Sequence, residues 1–348
     1  MSDLVNSAQF SAWAETHLPM LGDGKLEITQ LAGGATNAVF RVTKGKEWAV
    51  LRRPPGIPRA DSEKILKREA RVLTALGSTN VRAPRVLAEC DDSDVIGAGF
   101  YVMTNVEGWV PMSEADFPPA FAPGTQARRN MAFELVDGIA TLANVDYLAV
   151  GLDGFGKPEG FLERQVDRWL GQLAMYKEAE NYAGRELPGL DYVADWLRAN
   201  TPVSPRMGVI HGDYSFANVL FAHGDDPRLA AIIDWELSTV GDPLLDLGWT
   251  VYSFMSRDGF APPQDIYNTA PYPFREELIE YYAGKTGLPV DNIDYYMILA
   301  QFKLGALLER KYAEYLGGKK DREYGEYFGK LTLDLFATAA EMAKRSKL

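Results

Sequence analysis

The stretch "VIHGDYSFANVLF", residues 209–221, decides how this chain is interpreted. An apolar, strand-like run stops at His-Gly-Asp, and apolar residues resume only after Asn218. This pattern places Asp213 in a loop at the mouth of one strand and Asn218 at the start of the next. A carboxylate there can accept the proton of an attacking hydroxyl, and the amide oxygen can bind a metal ion. We interpret His211 as a residue that packs and hydrogen-bonds to hold the loop in shape.

A second polar interruption follows in "AIIDWELSTVGDPLLDLGW", residues 231–249. A short apolar strand ends there at Asp234, and an ionised carboxylate beside buried residues is costly unless a cation compensates it. Mg²⁺ is the natural partner, because it prefers one or two carboxylates together with phosphate oxygens and water. Asp242 and Asp246 lie four residues apart, and we expect both to hydrogen-bond the backbone of the preceding loop.

The N-terminal part holds two weaker signals. In "LAGGATNAVFRV", residues 31–42, Gly33 and Gly34 predict a tight hairpin whose backbone N–H groups can approach phosphates. The alternative is a hairpin without a ligand. Further on, Arg52 ends a strand and Glu69 lies in the next helix, and such a pair can orient nucleotide phosphates. The alternative for this pair is an ion pair on the surface.

The order of predicted elements indicates two lobes, which the length of 348 residues also favours. Residues 1–105 contain three strands, a helix and two strands, preceded by a short helix at 7–20. Residues 106–348 are mainly helical, with short strands only between 207 and 234. The predicted helices of this second part span 124–145, 161–180, 190–200, 276–286, 293–315 and 321–345.

Composition excludes several classes of protein. The net charge of −12, with the excess acidic charge after residue 105, argues against a broad nucleic-acid surface. No apolar run is long enough for a membrane span, and the N-terminus lacks the pattern of a signal peptide. The single cysteine, Cys90, makes a disulfide framework impossible and fits a reducing cytoplasm. We therefore expect a cytoplasmic protein, monomeric or homodimeric, without nucleic-acid or membrane partners.

The two motifs "HGDYSFANVLF" and "IIDWELSTVGDPLLDLGW" resemble the aminoglycoside phosphotransferase/choline kinase superfamily. With "AVLRRPPG" and "GFYVMTNVEG", they look closest to the kinase-like domains associated with acyl-CoA dehydrogenases. The resemblance extends from about residue 26 to 315. It implies an α+β, bilobal, protein-kinase-like fold, in which the N-lobe is a small antiparallel sheet with one main helix and the C-lobe is larger and mainly helical.

The resemblance also implies ATP and Mg²⁺ as cofactors. It makes Asp213 the catalytic base, supported by Asn218, and makes Asn218 and Asp234 the metal ligands. The sequence departs from the common kinase pattern, because it has Arg52 where most kinases have lysine. The neighbouring Arg53 is an alternative for the same role. For Glu236 we expect a structural hydrogen bond. The alternative is contact with a second metal ion or its water. The implied nucleotide-binding residues are Gly33, Gly34, Thr36, Asn37, Val50, Arg52, Glu69, Met103, Thr104 and Val106.

The implied function is an ATP-dependent phosphotransferase that transfers the γ-phosphate to a hydroxyl of a small molecule, such as a hydroxyacyl group or an aromatic alcohol. The alternatives are an aminoglycoside-type antibiotic kinase, which the acidic C-lobe would suit, and a non-catalytic nucleotide-binding pseudokinase. Segments 109–120 and 293–315 offer apolar side chains for the acceptor site, although these residues can equally be part of the core. They are Trp109, Met112, Tyr295, Tyr296 and Phe302.

Overall fold

An antiparallel sheet forms the N-terminal part of the computed structural model, which describes residues 4–31, 37–58, 60–178, 181–260 and 273–348. Its strands are β1 (Leu26–Gln30), β2 (Ala38–Lys44), β3 (Glu47–Arg53), β4 (Val86–Cys90) and β5 (Phe100–Thr104). They lie in the spatial order β1-β2-β3-β5-β4. The strands predicted at 25–32, 37–43 and 47–53 are therefore present within one or two residues.

The two faces of this sheet have different environments, because successive side chains of a strand point to opposite sides. One face carries Phe40, Leu51 and Val102, which are almost completely buried beneath helix α1 (Ser7–His17). The opposite face carries the neighbouring side chains of β3, Val50 and Arg52. The alternation thus places Arg52 and Arg53 on different faces of the sheet.

Helix α2 (Ser62–Leu76) is the main helix of the N-terminal part. Its buried residues recur every three or four positions, as expected for an amphipathic helix, and they belong to the same hydrophobic core as the C-terminal helices. Arg68 donates a hydrogen bond to the carbonyl of Ser238 at 3.3 Å, and Arg71 donates to the carbonyl of Asp153 at 2.7 Å. These contacts tie α2 to the C-terminal part. A single helical turn, α3 (Ser93–Ile96), follows β4 and is not among the predicted elements.

The remainder of the chain is mainly helical. Helix α9 is its centre, with contacts to α5, α6, α7 and α10. Its buried residues include Tyr295, Tyr296 and Phe302, so for these three aromatic residues the core alternative is confirmed. The helices are α4 (Gln126–Ala143), α5 (Gln165–Tyr176), α6 (Leu190–Ala199), α7 (Leu244–Val251), α8 (Arg275–Thr286), α9 (Ile293–Leu316) and α10 (Arg322–Arg345).

Two short strand pairs lie beside the helices. The strands are β6 (Gly208–Ile210), β7 (Val219–Phe221), β8 (Leu229–Ile232) and β9 (Thr239–Gly241). Strand β6 pairs with β9, and β7 pairs with β8, both antiparallel. The segment after β5 joins the β7–β8 pair, since Trp109 and Phe221 of β7 exchange two backbone hydrogen bonds of 2.9 Å. Both interruptions described in the sequence therefore lie at the ends of these pairs.

The predicted architecture, a small antiparallel sheet with one main helix followed by a larger helical part, is confirmed. The helix predicted at 161–180 is shorter, because residues 161–164 form turns instead. Neither β9 nor α7 was among the predicted elements. In the ranges that the structure describes, no helix is both long enough and apolar enough to cross a membrane.

Candidate active site

The loop between β6 and β7, residues 211–218, is shaped by a buried carboxylate. Asp246, in the first turn of α7, accepts hydrogen bonds from the backbone N–H groups of His211 at 2.6 Å and Gly212 at 2.8 Å. Gly212 has a φ of +85°, and a Cβ there would lie 2.6 Å from the carbonyl oxygen of Leu237. Only glycine fits this close approach. The expectation for Asp246 is confirmed, whereas Asp242 bonds Ser204, Tyr296 and Leu244 instead of the loop.

His211 is a structural residue of this loop, as the sequence predicted. Its ring is fully buried, and Nε2 lies 2.9 Å from the carbonyl oxygen of Ile233 while Nδ1 lies 3.3 Å from the backbone nitrogen of Asp213. Because a carbonyl only accepts and an amide N–H only donates, Nε2 carries the proton and Nδ1 accepts. Burial lowers the pKa of the ring to about 4. The imidazole is therefore neutral at pH 7 and connects the loop to β8.

Asp213 and Asn218 form one unit. The side-chain amide of Asn218 donates to the backbone oxygen of Asp213 at 2.8 Å and to its carboxylate Oδ2 at 3.1 Å. Since both partners accept, the nitrogen of Asn218 is assigned to this side and its amide oxygen remains on the other. Burial raises the pKa of Asp213, while Lys303 and Asn218 oppose that shift. The carboxylate is thus partly desolvated and oriented by Asn218, an arrangement that a general base can use.

Asp234 lies beside this unit because β7 and β8 are neighbours. The N–H of Ile233 donates to the carbonyl of Asn218 at 2.9 Å, and Asp234 follows with a left-handed backbone, φ 66° and ψ 62°. Aspartate is among the few non-glycine residues that tolerate this conformation. Trp235 is buried next to it, its indole donates to the carbonyl of Ile232 at 2.9 Å, and its ring contacts His211 edge-on.

The pair of Asn218 and Asp234 fits a magnesium ion. It offers one amide oxygen and one carboxylate, and the Asp234 side chain is 43% exposed. Magnesium typically takes only one or two protein ligands and completes its shell with phosphate oxygens and water. Over the described ranges, no cluster of three or more histidine, cysteine, aspartate or glutamate residues could hold a metal by itself. A metal ion would therefore depend on phosphate oxygens as well as on these two residues.

Arg52 connects the sheet, α2 and Asp234. Its guanidinium lies 2.8 Å from the Glu69 carboxylate and 3.8 Å from that of Asp234. Burial raises the pKa of Glu69 to about 7, and Arg52 opposes this shift. Arg53 instead donates to backbone carbonyls on the other face, among them Ile96 at 2.7 Å. Of the two adjacent arginines, the structure brings Arg52 and not Arg53 to the predicted site.

Several of the predicted nucleotide-binding residues lie on the sheet face that carries Arg52. Val50 and Met103 are direct partners across β3 and β5, and both are half-buried. Thr104 ends β5, and Val106 follows it in the segment that leads to the helical part. Asn37 precedes β2 and is buried. Gly33, Gly34 and Thr36 lie outside the described residues.

Replacing Arg52 by alanine is expected to raise the KM for ATP about tenfold or more, because the site loses the cation that faces Glu69 and Asp234. Arg53→Ala is the matched control, and it should lower thermal stability while changing the KM for ATP less than about twofold. Steady-state kinetics of both variants distinguish the two residues. A rise in KM for the Arg53 variant alone would show that the assignment is one residue out of register.

Sequence reasoning missed Lys303. This residue projects from α9 to the loop 211–218, where its ammonium donates to the carbonyl of Gly212 and lies 4.1 Å from the centre of the Trp249 ring. Burial lowers its pKa, while Asp213 and Asp246 raise it. The available signal was composition, since Lys303 is the only charged residue in the run "MILAQFKLGALL", residues 297–308.

A cavity of about 400 Å³ opens beside Asp213 and Asn218. Its walls combine residues of the loop 213–218 with apolar and aromatic side chains contributed mainly by α7, α9 and α10. Of the residues proposed for the acceptor site from the sequence, Trp109 packs instead with Phe117, Phe121 and Phe221, and Met112 is 58% exposed. The larger apolar and aromatic wall residues from these helices include Trp249, Tyr252, Leu304, Leu308, Phe328 and Leu331.

Comparison with known sequences gives consistent results. A model of the phosphotransferase enzyme family matches residues 27–282. Acyl-CoA dehydrogenase family member 11 of Rattus norvegicus is 32% identical over 346 residues, covering 96% of this chain and 43% of the relative. The protein of the same name in Gallus gallus is 31% identical over 335 residues, covering 94% and 42%. The chain therefore spans less than half the length of these curated relatives.

Solved structures agree with the sequence comparisons. The crystal structure of a candidate aminoglycoside phosphotransferase from Ralstonia eutropha has a TM-score of 0.81 and 28% identity, with 99% of each chain covered. Choline kinase from Cryptosporidium parvum has a TM-score of 0.60 and 14% identity, covering 92% of this chain and 90% of that one. Plasmodium vivax ethanolamine kinase has a TM-score of 0.59 and 14% identity, covering 95% and 86%. At such identities, the two kinases share the fold with this chain.

Proposed function

Because the chain belongs to the phosphotransferase enzyme family, we propose that it transfers the γ-phosphate of ATP to a hydroxyl group of a small molecule. Membership of this family, together with the kinase-like fold, makes the chain a small-molecule phosphotransferase, as the sequence predicted. The resemblance to the aminoglycoside phosphotransferase and choline kinase superfamily is likewise confirmed. ATP as donor, Mg²⁺ as cofactor and the hydroxyl acceptor are parts of the proposal.

The observation that carries the proposal is the convergence of Asp213, Asn218, Asp234 and the Arg52–Glu69 pair. These residues come from the sheet, α2 and two loops. Hydrogen bonds and ion pairs link them, and the link between Asn218 and Asp234 runs through the backbone N–H of Ile233. Phosphoryl transfer needs positioning and charge neutralisation more than covalent chemistry. A base, two oxygen ligands and a buried cation in one place supply those requirements.

Each residue has a separate task in the transfer. The acceptor oxygen forms a bond to the γ-phosphorus while the bond from that phosphorus to the β–γ bridging oxygen breaks, and ADP leaves. The carboxylate of Asp213 accepts the proton of the acceptor hydroxyl. Arg52 balances the charge of the phosphates, and Glu69 keeps its guanidinium in place. Asn218 and Asp234 would hold Mg²⁺, which supplies charge neutralisation and orientation of the phosphates.

The cavity beside Asp213 supports an apolar acceptor. Among its described wall residues, Asp213 is the only charged side chain, so little there would attract a polycationic aminoglycoside. Trp249, Leu304, Leu308 and Phe328 suit an acyl chain or an aromatic ring. The name of the curated relatives, acyl-CoA dehydrogenase family member 11, also favours an acyl-type molecule. We therefore propose a hydroxyacyl compound or an aromatic alcohol as the acceptor.

The test is a screen of hydroxylated metabolites with Mg·ATP, read by mass spectrometry as the gain of one phosphoryl group. Acyl and aromatic alcohols form one arm and aminoglycosides the other. Phosphorylation in the first arm supports the proposal, and phosphorylation confined to the second arm contradicts the proposed acceptor. Binding of Mg·ATP by calorimetry without any product from a broad library would favour the pseudokinase alternative.

A polar substitution in the cavity wall should separate acceptor binding from nucleotide binding. Leu304→Asn is expected to raise the KM for the acceptor about tenfold, because an apolar contact of one leucine is lost, and to leave the KM for ATP within about twofold. Leu307→Asn, on the same helix but not among the described cavity residues, is the control. Equal acceptor KM values for the two variants would place the acceptor elsewhere.

A further inference from the structure

The proposed catalytic loop, residues 211–218, has an acidic charge balance. Residues 211–218 read "HGDYSFAN" and contain no lysine or arginine. They carry the carboxylate of Asp213, and Asp246 lies against their backbone. Bringing a triphosphate to this place adds further negative charge. The cation that meets the loop from the side of α9 is Lys303, which lies about 90 residues further along the chain.

Lys303 is surrounded by groups from three other elements. The loop contributes the carbonyl of Gly212 and the charge of Asp213, and α7 contributes the charge of Asp246 and the ring of Trp249. From α5, the positive charge of Arg168 lowers the pKa of Lys303, whereas the two carboxylates raise it. The ammonium therefore binds one carbonyl and balances two carboxylates while it is held against an indole face.

We propose that Lys303 is a positioning residue for phosphoryl transfer. Its ammonium fixes the Gly212 peptide and balances the charges of Asp213 and Asp246, so that the Asp213 carboxylate stays where the acceptor hydroxyl reaches it. This proposal rests on the proposed function, in which Asp213 is the base. Lys303 acts through the loop and touches neither substrate in this scheme.

Energetics argue for a role beyond packing. Lys303 is only partly exposed, and removing a charged ammonium from water is costly, whereas replacing it alone leaves the charges of Asp213 and Asp246 without this cation. Methionine has about the same length as the lysine stem and would fill the space against Trp249. A small cavity of about 80 Å³, lined by Lys303, Trp169, Trp249 and Gly212, adjoins the position and leaves room for adjustment. The feature that methionine cannot supply is the charged donor to the loop.

The first test measures the loop without any catalysis. In Lys303→Met, hydrogen–deuterium exchange at the His211 and Gly212 amides should accelerate at least about tenfold, because the loop loses its tie to α9. Lys311→Met is the matched control, since Lys311 is a half-buried lysine on the same helix that stacks on Phe328 at 3.9 Å. Unchanged protection in Lys303→Met would overturn the proposal whether or not the wild type transfers phosphate.

The second test measures turnover once an acceptor is known. Lys303→Met should lower kcat by about 10²-fold with the KM for ATP changed less than about twofold, since the base and not the nucleotide is misplaced. Lys303→Gln keeps an N–H donor without the charge. It is the second variant, to be measured if the methionine variant does not fold. We expect a comparable fall in kcat for it. Wild-type kcat in either folded variant would contradict the proposal, whereas an inactive wild type would contradict the proposed function instead.

Discussion

Asp213→Asn is expected to lower kcat for phosphoryl transfer by about 10³-fold and to leave the Kd for Mg·ATP within about twofold. Asparagine has nearly the same shape as aspartate, and its oxygen can still accept the hydrogen bond that Asn218 donates to Oδ2 at 3.1 Å. The loop should therefore keep its conformation. An amide cannot take the proton of the acceptor hydroxyl, so the loss should fall on the chemical step.

The control for this variant is Asp242→Asn. Asp242 is also a buried carboxylate, but it bonds Ser204, Tyr296 and the N–H of Leu244, away from the loop. We expect lower thermal stability with near wild-type kcat for the folded fraction. Single-turnover kinetics and calorimetry separate the chemical step from binding. Retention of wild-type turnover in Asp213→Asn would remove this residue from the role of base.

Asp234→Asn is expected to raise the Kd for Mg·ATP at least about tenfold and to lower kcat by about 10³-fold. Asparagine tolerates the left-handed backbone that Asp234 adopts, so the substitution removes charge without forcing a new conformation. Affinity for ATP in the absence of Mg²⁺ should change little, because the lost interaction is with the metal. Calorimetric titrations with and without Mg²⁺ measure this difference directly.

Glu236→Gln is the control for Asp234→Asn. Glu236 lies two residues further along the same loop, and its charge raises the pKa of both Arg52 and Glu69. If its role is a structural hydrogen bond, as we expect, the Kd for Mg·ATP stays close to that of the wild type. An equal loss of magnesium-dependent affinity in both variants would instead place a metal contact at Glu236. Unchanged affinity in Asp234→Asn would argue against metal ligation there.

The sequence contained most of the fold because its patterns are local. Strand alternation and the turn glycines indicate the sheet strands, and the amphipathic repeat indicates α2. Helix α7 was harder to predict, because "LLDLGWTV" is largely apolar on all sides and carries little periodicity. Strand β9 has only three residues and owes its existence to pairing with β6, which is a tertiary contact.

The site was predictable only in part. The motifs at 211–218 and at Asp234 can be recognised in the sequence, because polar residues interrupt apolar strands. The choice between Arg52 and Arg53 follows from strand alternation only once one knows which face carries the core. The contact of Lys303 with the loop depends on the position of α9, which lies far along the chain. No local sequence pattern connects this lysine with the loop. The cavity beside Asp213 likewise combines α7, α9 and α10, so sequence reasoning selected aromatic residues such as Tyr295 that belong to the core.

The buried position of Trp235 has a consequence for inhibitor design. Its indole is 1% exposed, and its N–H is bonded to the carbonyl of Ile232. A compound whose binding requires this side chain to leave its pocket must overcome a cost on the order of 3–5 kcal/mol, the usual loss for a deleted core tryptophan. That cost corresponds to roughly 150- to 5,000-fold in apparent affinity. Compounds shaped to the resting conformation of the cleft should therefore outperform those that demand its rearrangement.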